Sequence, residues 1–255
     1  MTNKRFFYFI LTLTVFAFLF FSYKKSTQNY VLLKIGHRGA FGYEPQNTLR
    51  SFKKALDLGV DAVEMDVHKC KTGEIVVIHD KTVDATTDGK GAVTELTLDE
   101  LKRLDAGKGE EIPTLEQALD LVNRKAKVII ELKGKDEFIP TAEVINEYVK
   151  NRGWKYKDFL VISYDLDKLY KIRDFSPKLR LGLLFEKLPE NDDELDLKNV
   201  DYIVLNFEYI TPSIIKKIHK KGIKIIVYTV NDEKNITLMK RFKVDGIVSN
   251  YPNRI

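Results

Sequence analysis

The feature that most constrains the fold is a regular alternation of short apolar runs, rich in β-branched residues, with amphipathic helical stretches. Strands that alternate with helices are joined by crossovers and therefore form a parallel sheet. Eight such units in one chain predict an α/β fold, a closed (β/α)8 TIM barrel rather than an open doubly wound sheet. The eight predicted strands lie near residues 31–36, 60–67, 128–132, 159–163, 179–184, 202–205, 223–228 and 246–249.

Helix boundary signals support this alternation. Thr48 precedes a periodic apolar stretch that stops at Gly59. Thr114 and Gln117 have the spacing of a capping box, and Pro212 is placed to open a later helix. These signals predict helices between the strands, as the barrel requires.

One segment departs from the alternation. A second extended run returns only a few residues after the second strand, and the intervening "KTGE" is too short for a helical crossover. The sequence therefore predicts a hairpin that brings His79 back toward the end of the second strand. The following residues, about 81–112, include a short helix that begins after Thr97 and are predicted to form a small insertion capping the barrel.

Residues 1–30 are predicted to be an N-terminal membrane anchor or signal segment, and residues 31–255 to be the barrel. Residues 6–23, FFYFILTLTVFAFLFFSY, would span roughly 27 Å as a helix, close to the hydrocarbon thickness of a bilayer. Because no Ala-x-Ala pattern follows this run, an uncleaved anchor is favoured over a cleaved signal peptide or a buried helix. We expect a single N-terminal transmembrane helix that tethers an extracytoplasmic catalytic domain.

The charge of the chain argues against a nucleic-acid partner. The formal net charge is +5, but four of these charges flank the apolar run, at Lys4, Arg5, Lys24 and Lys25. The predicted barrel is therefore close to neutral, and it has no basic stripe with interleaved aromatic residues.

Acidic residues are predicted at the carboxyl ends of two neighbouring strands, where barrel enzymes keep their active sites. In AVEMDVH, Glu64 and Asp66 share one face because side chains alternate along a strand, and Glu131 has the same placement in VIIELKGK. Converging carboxylates raise one another's pKa unless a positive charge lies among them. All-oxygen ligation fits one hard divalent cation, Ca2+ or Mg2+. The simpler interpretation is that these acids only pair with Arg38 and Lys133.

Two histidines are predicted at the same end of the barrel. His37 follows the first strand, in IGHRGAFG, and His79 lies on the returning strand of the hairpin. Because an imidazole titrates near neutral pH, such a pair can serve as general base and general acid. Arg38 and Lys133 add the planar fork and the point charge that bind phosphate.

These segments occur in a characteristic order. GHRGAFGYEPQNT is followed by EMDV, GEIVVIHD, IPTLEQAL, IELK, VYTVND and VDGIVSNYP, between Ile35 and Pro252. In this order and spacing the chain resembles the glycerophosphodiester phosphodiesterase family. The resemblance implies a TIM barrel with a small insertion. It also implies hydrolysis of a glycerophosphodiester to glycerol 3-phosphate and an alcohol, with one divalent cation.

The resemblance also implies a role for each matching residue. A metal and an arginine would neutralise the phosphate oxygens while one histidine removes a proton and the other protonates the leaving alkoxide. Attack by the glycerol 2-hydroxyl, through a cyclic phosphate that water then opens, is one route. The implied catalytic pair is His37 and His79; the metal ligands are Glu64, Asp66 and Glu131; the substrate contacts are Arg38, Lys133 and Tyr228.

One departure from the family pattern leaves other functions open. The family usually has Pro-Glu-Asn-Thr where this chain has Gln46 as the second residue, and Glu44 is expected to replace the lost charge in part. Lysophospholipids are possible larger substrates of the same chemistry. The alternatives are a lysophospholipase D, a sphingomyelinase D-like lyase that stops at the cyclic phosphate, and a catalytically silent head-group binding module.

Overall fold

The computed structural model describes residues 30–189 and 197–255. The chain divides into two units, Met1–Val31 and Leu32–Ile255, and the second contains the strands and helices given below. The run predicted to anchor the chain, residues 6–23, lies outside the described residues. Within the described ranges, no helix combines the length and the apolar character needed to cross a bilayer.

In the described part of the chain, nine strands build one sheet that closes on itself. The strand order is β1-β9-β8-β7-β6-β5-β4-β2-β3, and β1 also pairs with β2. Every pair is parallel except β2 with β3. The TIM barrel is therefore confirmed, and β3 is the returning strand of the predicted hairpin. The strands are β1 (Leu33–Gly36), β2 (Ala62–Lys69), β3 (Ile75–Val77), β4 (Lys127–Leu132), β5 (Phe159–Ser163), β6 (Arg180–Phe185), β7 (Tyr202–Asn206), β8 (Lys224–Tyr228) and β9 (Gly246–Ser249).

The helices begin at the predicted capping residues. The side chain of Thr48 accepts a hydrogen bond from the Ser51 N–H, and Thr114 forms a full capping box with Gln117. Within the described residues of the β6–β7 connection, 186–189 and 197–201, there is no α-helix. The helices are α1 (Leu49–Asp57), α2 (Leu98–Leu101), α3 (Leu115–Val122), α4 (Phe138–Asn151), α5 (Leu166–Phe175), α6 (Pro212–Lys220) and α7 (Glu233–Phe242).

The alternation of side chains gives the strands two faces. Val63, Met65 and Val67 belong to the large core that the strands share with the helices. The other face of β2 and β4 lines the barrel interior, where Ala62 and Ile129 pack in a separate apolar cluster. Along this interior face both strands change from apolar to acidic toward their carboxyl ends. Apolar packing therefore fills the barrel below the acids.

The segment between β3 and α3 has a small core of its own. Its apolar residues pack with the hairpin rather than with the barrel helices. Thr97 and Glu100 form a capping box at the start of α2. The residues of this cluster are Cys70, Val76, Ile78, Val83, Val93, Leu101 and Ile112.

Candidate active site

The turn after β1 is tightly folded. Arg38 has a φ of 49°, in the left-handed region, and Gly39 follows with a φ of 86°. A Cβ atom added to Gly36 would lie 2.3 Å from the Gly39 carbonyl oxygen. The two glycines that flank His37 and Arg38 are therefore required by the close approach of the backbone to itself, and the turn places both side chains at the carboxyl end of β1.

The three predicted acids meet at the same end of the barrel. One carboxylate oxygen each of Glu64, Asp66 and Glu131 lies within 4.8 Å of the others. Burial, and then the charges of Asp66 and Glu131, raise the pKa of Glu64 well above its ordinary value. Burial and the charge of Asp66 raise the pKa of Glu131 to about 7. Burial and the crowding of like charges therefore oppose full ionisation of the cluster at neutral pH.

Nearby cations compensate only part of this negative charge. Lys133 Nζ lies 2.8 Å from Glu131 Oε1, and Arg38 Nε lies 3.3 Å from Asp66 Oδ2. Pairing with these two side chains thus accounts for two of the three acids. Glu64 accepts a hydrogen bond from the Arg38 N–H at its Oε2, at 2.8 Å, but its buried Oε1 has no partner. This orphaned oxygen and the all-carboxylate set fit a hard divalent cation, which prefers oxygen ligands.

His37 is held in one orientation by a neutral side chain. Its Nδ1 lies 2.6 Å from Asn250 Oδ1. Because an amide oxygen only accepts, Nδ1 carries the proton and Nε2 keeps its lone pair. Burial, followed by the charge of Arg38, lowers the pKa of His37 to about 4. The ring is therefore neutral at neutral pH and suited to accept a proton.

His79 follows β3 and is supported from two sides. Its Nδ1 lies 2.7 Å from Asp80 Oδ1. The buried His68 donates from Nε2 to the carbonyl oxygen of His79, at 3.1 Å. Burial is the largest cause that lowers the pKa of His37, and the charge of Arg38 is the next. The charge of His79 lowers this pKa further. The hairpin thus brings the second histidine to the same site as the first.

Glu44 does not replace the charge that Gln46 lacks, contrary to the expectation from the sequence. Gln46 Oε1 accepts a hydrogen bond from Arg38 Nη1. Glu44 instead binds Arg50 and Lys108, at 2.6 and 2.8 Å, and hydrogen bonds from these two side chains lower its pKa. The neutral Gln46 therefore contacts Arg38 without neutralising it.

Asn47 is a site residue that the sequence pattern did not predict. Only 3% of Asn47 is exposed, and its φ of 58° is left-handed. Its Nδ2 donates to Asp66 Oδ2 at 2.9 Å, while the Asp66 N–H donates to Asn47 Oδ1 at 3.3 Å. Its own N–H donates to the Arg38 carbonyl oxygen at 3.1 Å. The signal in the sequence was an asparagine, a residue that tolerates this conformation, directly before the helix-capping Thr48.

Tyr228 lies at the carboxyl end of β8, on the side of the barrel mouth away from the acids. Its hydroxyl donates to the Phe185 carbonyl oxygen at 2.9 Å and lies 2.6 Å from the hydroxyl of Tyr164. Burial and the contact with Tyr164 raise the pKa of Tyr228. The predicted substrate contact is thus part of a hydroxyl pair that the sequence did not reveal.

Comparison with known proteins agrees with this geometry. The model of the glycerophosphoryl diester phosphodiesterase family matches residues 37–254. A glycerophosphodiester phosphodiesterase of Caldanaerobacter subterraneus is 33% identical over 233 residues, covering 88% of this chain and 96% of that protein. One of Bacillus altitudinis is 33% identical over 232 residues, covering 86% and 94%.

Solved structures show the same likeness. The structure of an Oleispira antarctica phosphodiesterase in complex with the product sn-glycerol-3-phosphate superimposes with a TM-score of 0.80 at 29% identity. The match covers 87% of this chain and 94% of that one. At the level of chemistry, the chain is a phosphoric diester hydrolase. It belongs to the glycerophosphoryl diester phosphodiesterase family.

Proposed function

We propose that the protein hydrolyses glycerophosphodiesters to glycerol 3-phosphate and an alcohol, with His37 and His79 as the catalytic pair and one divalent cation, Ca2+ or Mg2+, as cofactor. The observation that carries the proposal is the convergence of three carboxylates, within 4.8 Å of one another, on an end of the barrel that also holds both histidines. The buried, unpartnered Oε1 of Glu64 supports the cation.

Positively charged groups of the site would bind the phosphate of the substrate. A phosphodiester resists attack because its anionic oxygens repel nucleophiles, and the guanidinium of Arg38 and the ammonium of Lys133 reduce this repulsion. When bound by Glu64, Asp66 and Glu131, the cation would supply further positive charge to the same oxygens.

The environments of the two histidines support a different role for each. His37 takes the proton of the attacking glycerol 2-hydroxyl at Nε2, because its lowered pKa keeps the ring neutral. The new P–O bond forms as the bond to the alcohol breaks, and His79, held by Asp80, protonates the leaving alkoxide. Water then opens the cyclic phosphate with the two roles exchanged, which restores both rings and gives glycerol 3-phosphate.

Phosphorus NMR tests the proposal. Glycerophosphocholine and lysophosphatidylcholine are each incubated with the full-length chain in Ca2+, in Mg2+ or in chelator. We expect glycerol 3-phosphate from the first substrate, loss of turnover in chelator, and loss of turnover in His37→Ala and Glu64→Ala. The matched control is His219→Ala. It removes a histidine of α6 that binds Asp245 outside the candidate site, and it should retain activity.

The outcomes separate the alternatives. Accumulation of a cyclic phosphate would identify a lyase related in chemistry to sphingomyelinase D, and turnover of lysophosphatidylcholine would identify a lysophospholipase D. No turnover with any metal would favour a head-group binding module and would contradict the proposal. Full activity in His37→Ala would remove the assignment of the catalytic pair.

We also propose that residues 6–23 anchor the protein in a membrane, with the barrel on the extracytoplasmic side. The support is the length and apolar character of this run and the basic residues before it. Cell fractionation and protease accessibility test it. Full-length protein in the membrane fraction, with a barrel open to protease added from outside, is expected; an intact barrel under those conditions would contradict the orientation.

A further inference from the structure

A contact between two tyrosines spans the mouth of the barrel. Tyr164 follows β5, and Tyr228 ends β8; their hydroxyl oxygens are 2.6 Å apart. Strands β6 and β7 separate β5 from β8 in the sheet, so the two rings meet across the opening rather than side by side. Tyr164 remains 53% exposed. An aromatic surface is therefore open to solvent directly at the mouth.

A carboxylate lies at the edge of this aromatic surface. The register aligns Phe185 with Leu205 and Asn206 with Tyr228, which places Glu186, the residue after Phe185, level with the tyrosine. Glu186 Oε2 lies 3.4 Å from the Tyr228 hydroxyl, and Asn206 donates to Glu186 Oε1. Among the described residues, no lysine, arginine or histidine lies within ion-pair distance of Glu186. Its negative charge is thus oriented but not neutralised.

This half of the mouth is in reach of the proposed phosphate site. The pKa of Tyr164 and the pKa of Tyr228 are both raised, mainly by burial. The charge of Glu131 also raises both pKa values. Glu131 and β5 are neighbours in the sheet, with Glu131 level with Ile162. A diester whose phosphate lies at the acids and cations can therefore extend its second ester group toward the tyrosines.

We propose that Tyr164, Tyr228 and Glu186 form a subsite for a positively charged leaving alcohol, such as a quaternary ammonium or primary ammonium alcohol. The inference rests on the proposed function and names its substrate class. Aromatic faces bind cations through the ring quadrupole, and quaternary ammonium groups are the ligands that such surfaces recognise. The unneutralised Glu186 adds the opposite charge.

Glycerol is less suited to this half of the mouth. Its 2-hydroxyl must lie beside the phosphate, within reach of His37 Nε2, for the reaction proposed above. The glycerol is therefore kept on the side of the acids, and the group on the other ester oxygen points toward Tyr164 and Tyr228. A neutral polyol gains no charge attraction from an aromatic surface beside an anion, whereas a cation is attracted by both.

Head-group selectivity of the full-length chain tests the inference. The ratio of kcat/KM for glycerophosphocholine to kcat/KM for the neutral-headed glycerophosphoglycerol is measured in wild type and in variants. Glu186→Gln and Tyr164→Leu should each lower this ratio by about threefold to tenfold, as expected for the loss of one exposed cation contact. Tyr164→Phe keeps the ring and should keep the ratio. Glu208→Gln, a nearby exposed glutamate outside the subsite, should leave it unchanged.

A binding measurement keeps this test separate from that of the proposed function. Saturation-transfer NMR follows tetramethylammonium with wild type and Glu186→Gln, and needs no turnover. Binding that weakens in the variant supports the subsite even if no diester is hydrolysed. Absence of binding to wild type would overturn it. An equal loss of activity on both diesters in Glu186→Gln would also overturn it, because the pocket would then hold the glycerol that all substrates share.

Discussion

Replacing Glu131 with glutamine should remove the contribution of this residue to the pH dependence of stability in the cation-free protein. Burial and the charge of Asp66 raise the pKa of Glu131 from its ordinary 4.5 to about 7. A carboxyl group whose pKa is raised in the folded state contributes stability that is fully present below pH 4.5 and is lost as the pH rises through about 7. The side chain is only 12% exposed, so solvent screens this effect little.

The magnitude follows from the difference between the two pKa values. A pKa that rises from 4.5 to about 7 corresponds to about 3 kcal/mol of unfolding free energy. Between about pH 4 and about pH 8, wild type in chelator should therefore lose about 3 kcal/mol relative to Glu131→Gln. For a domain of this size this is a change of about 6–12 °C in Tm.

Thermal unfolding followed by circular dichroism measures this difference. A divalent cation added at high pH should restore the stability of wild type and have little effect on Glu131→Gln, because the variant has lost one ligand and one charge. Glu143→Gln, on the exposed side of α4, is the control and should follow wild type. If Tm changes with pH in the same way in wild type and in Glu131→Gln, the reasoning that crowded, buried acids destabilise the cation-free site is refuted.

Three further substitutions test separate parts of the account. Asn250→Asp places a carboxylate against Nδ1 of His37 and should raise its pKa, so the acid limb of the kcat/KM profile moves upward from about pH 4; an unchanged profile would contradict the role of His37 as base. Asn47→Ala leaves Asp66 without its amide donor and should weaken cation affinity about 10-fold to 100-fold. Activity measured against cation concentration gives this affinity, and an unchanged affinity would contradict the role of Asn47. Thr48→Ala removes the cap of α1 and should cost about 1 kcal/mol in chemical denaturation, and a neutral result would show that the cap is dispensable.

The parts of the site that the sequence predicted are those governed by local periodicity. Glu64 and Asp66 share a face because side chains alternate along β2, and parallel neighbours bring their carboxyl ends together at one edge. Register between β2 and β4 then places Asp66 level with Glu131. Strand periodicity and barrel closure bring the three acids to one place, so these two features were sufficient to predict that they meet.

The parts that the sequence did not predict depend on contacts between distant elements or on unusual backbone conformation. The pairing of Tyr164 with Tyr228 joins strands that are not neighbours, so neither position signals the other. Asn47, which donates to Asp66, has a left-handed backbone that the sequence does not signal by a glycine. Glu44 lies two residues from Gln46 in sequence, yet its side chain binds Lys108 in the distant insertion.

Glu64, Asp66 and Glu131 are proposed to bind one hard divalent cation together. Anomalous diffraction from crystals of the protein grown with Mn2+ tests it most directly, because Mn2+ shares the oxygen preference of Mg2+ and Ca2+ and can be located by its own signal. We expect one anomalous peak bonded to an oxygen of each of the three carboxylates, at about 2.0–2.6 Å. An anomalous peak elsewhere in the barrel would contradict this proposal. So would a site without a peak, in which only Lys133 and Arg38 contact the three acids.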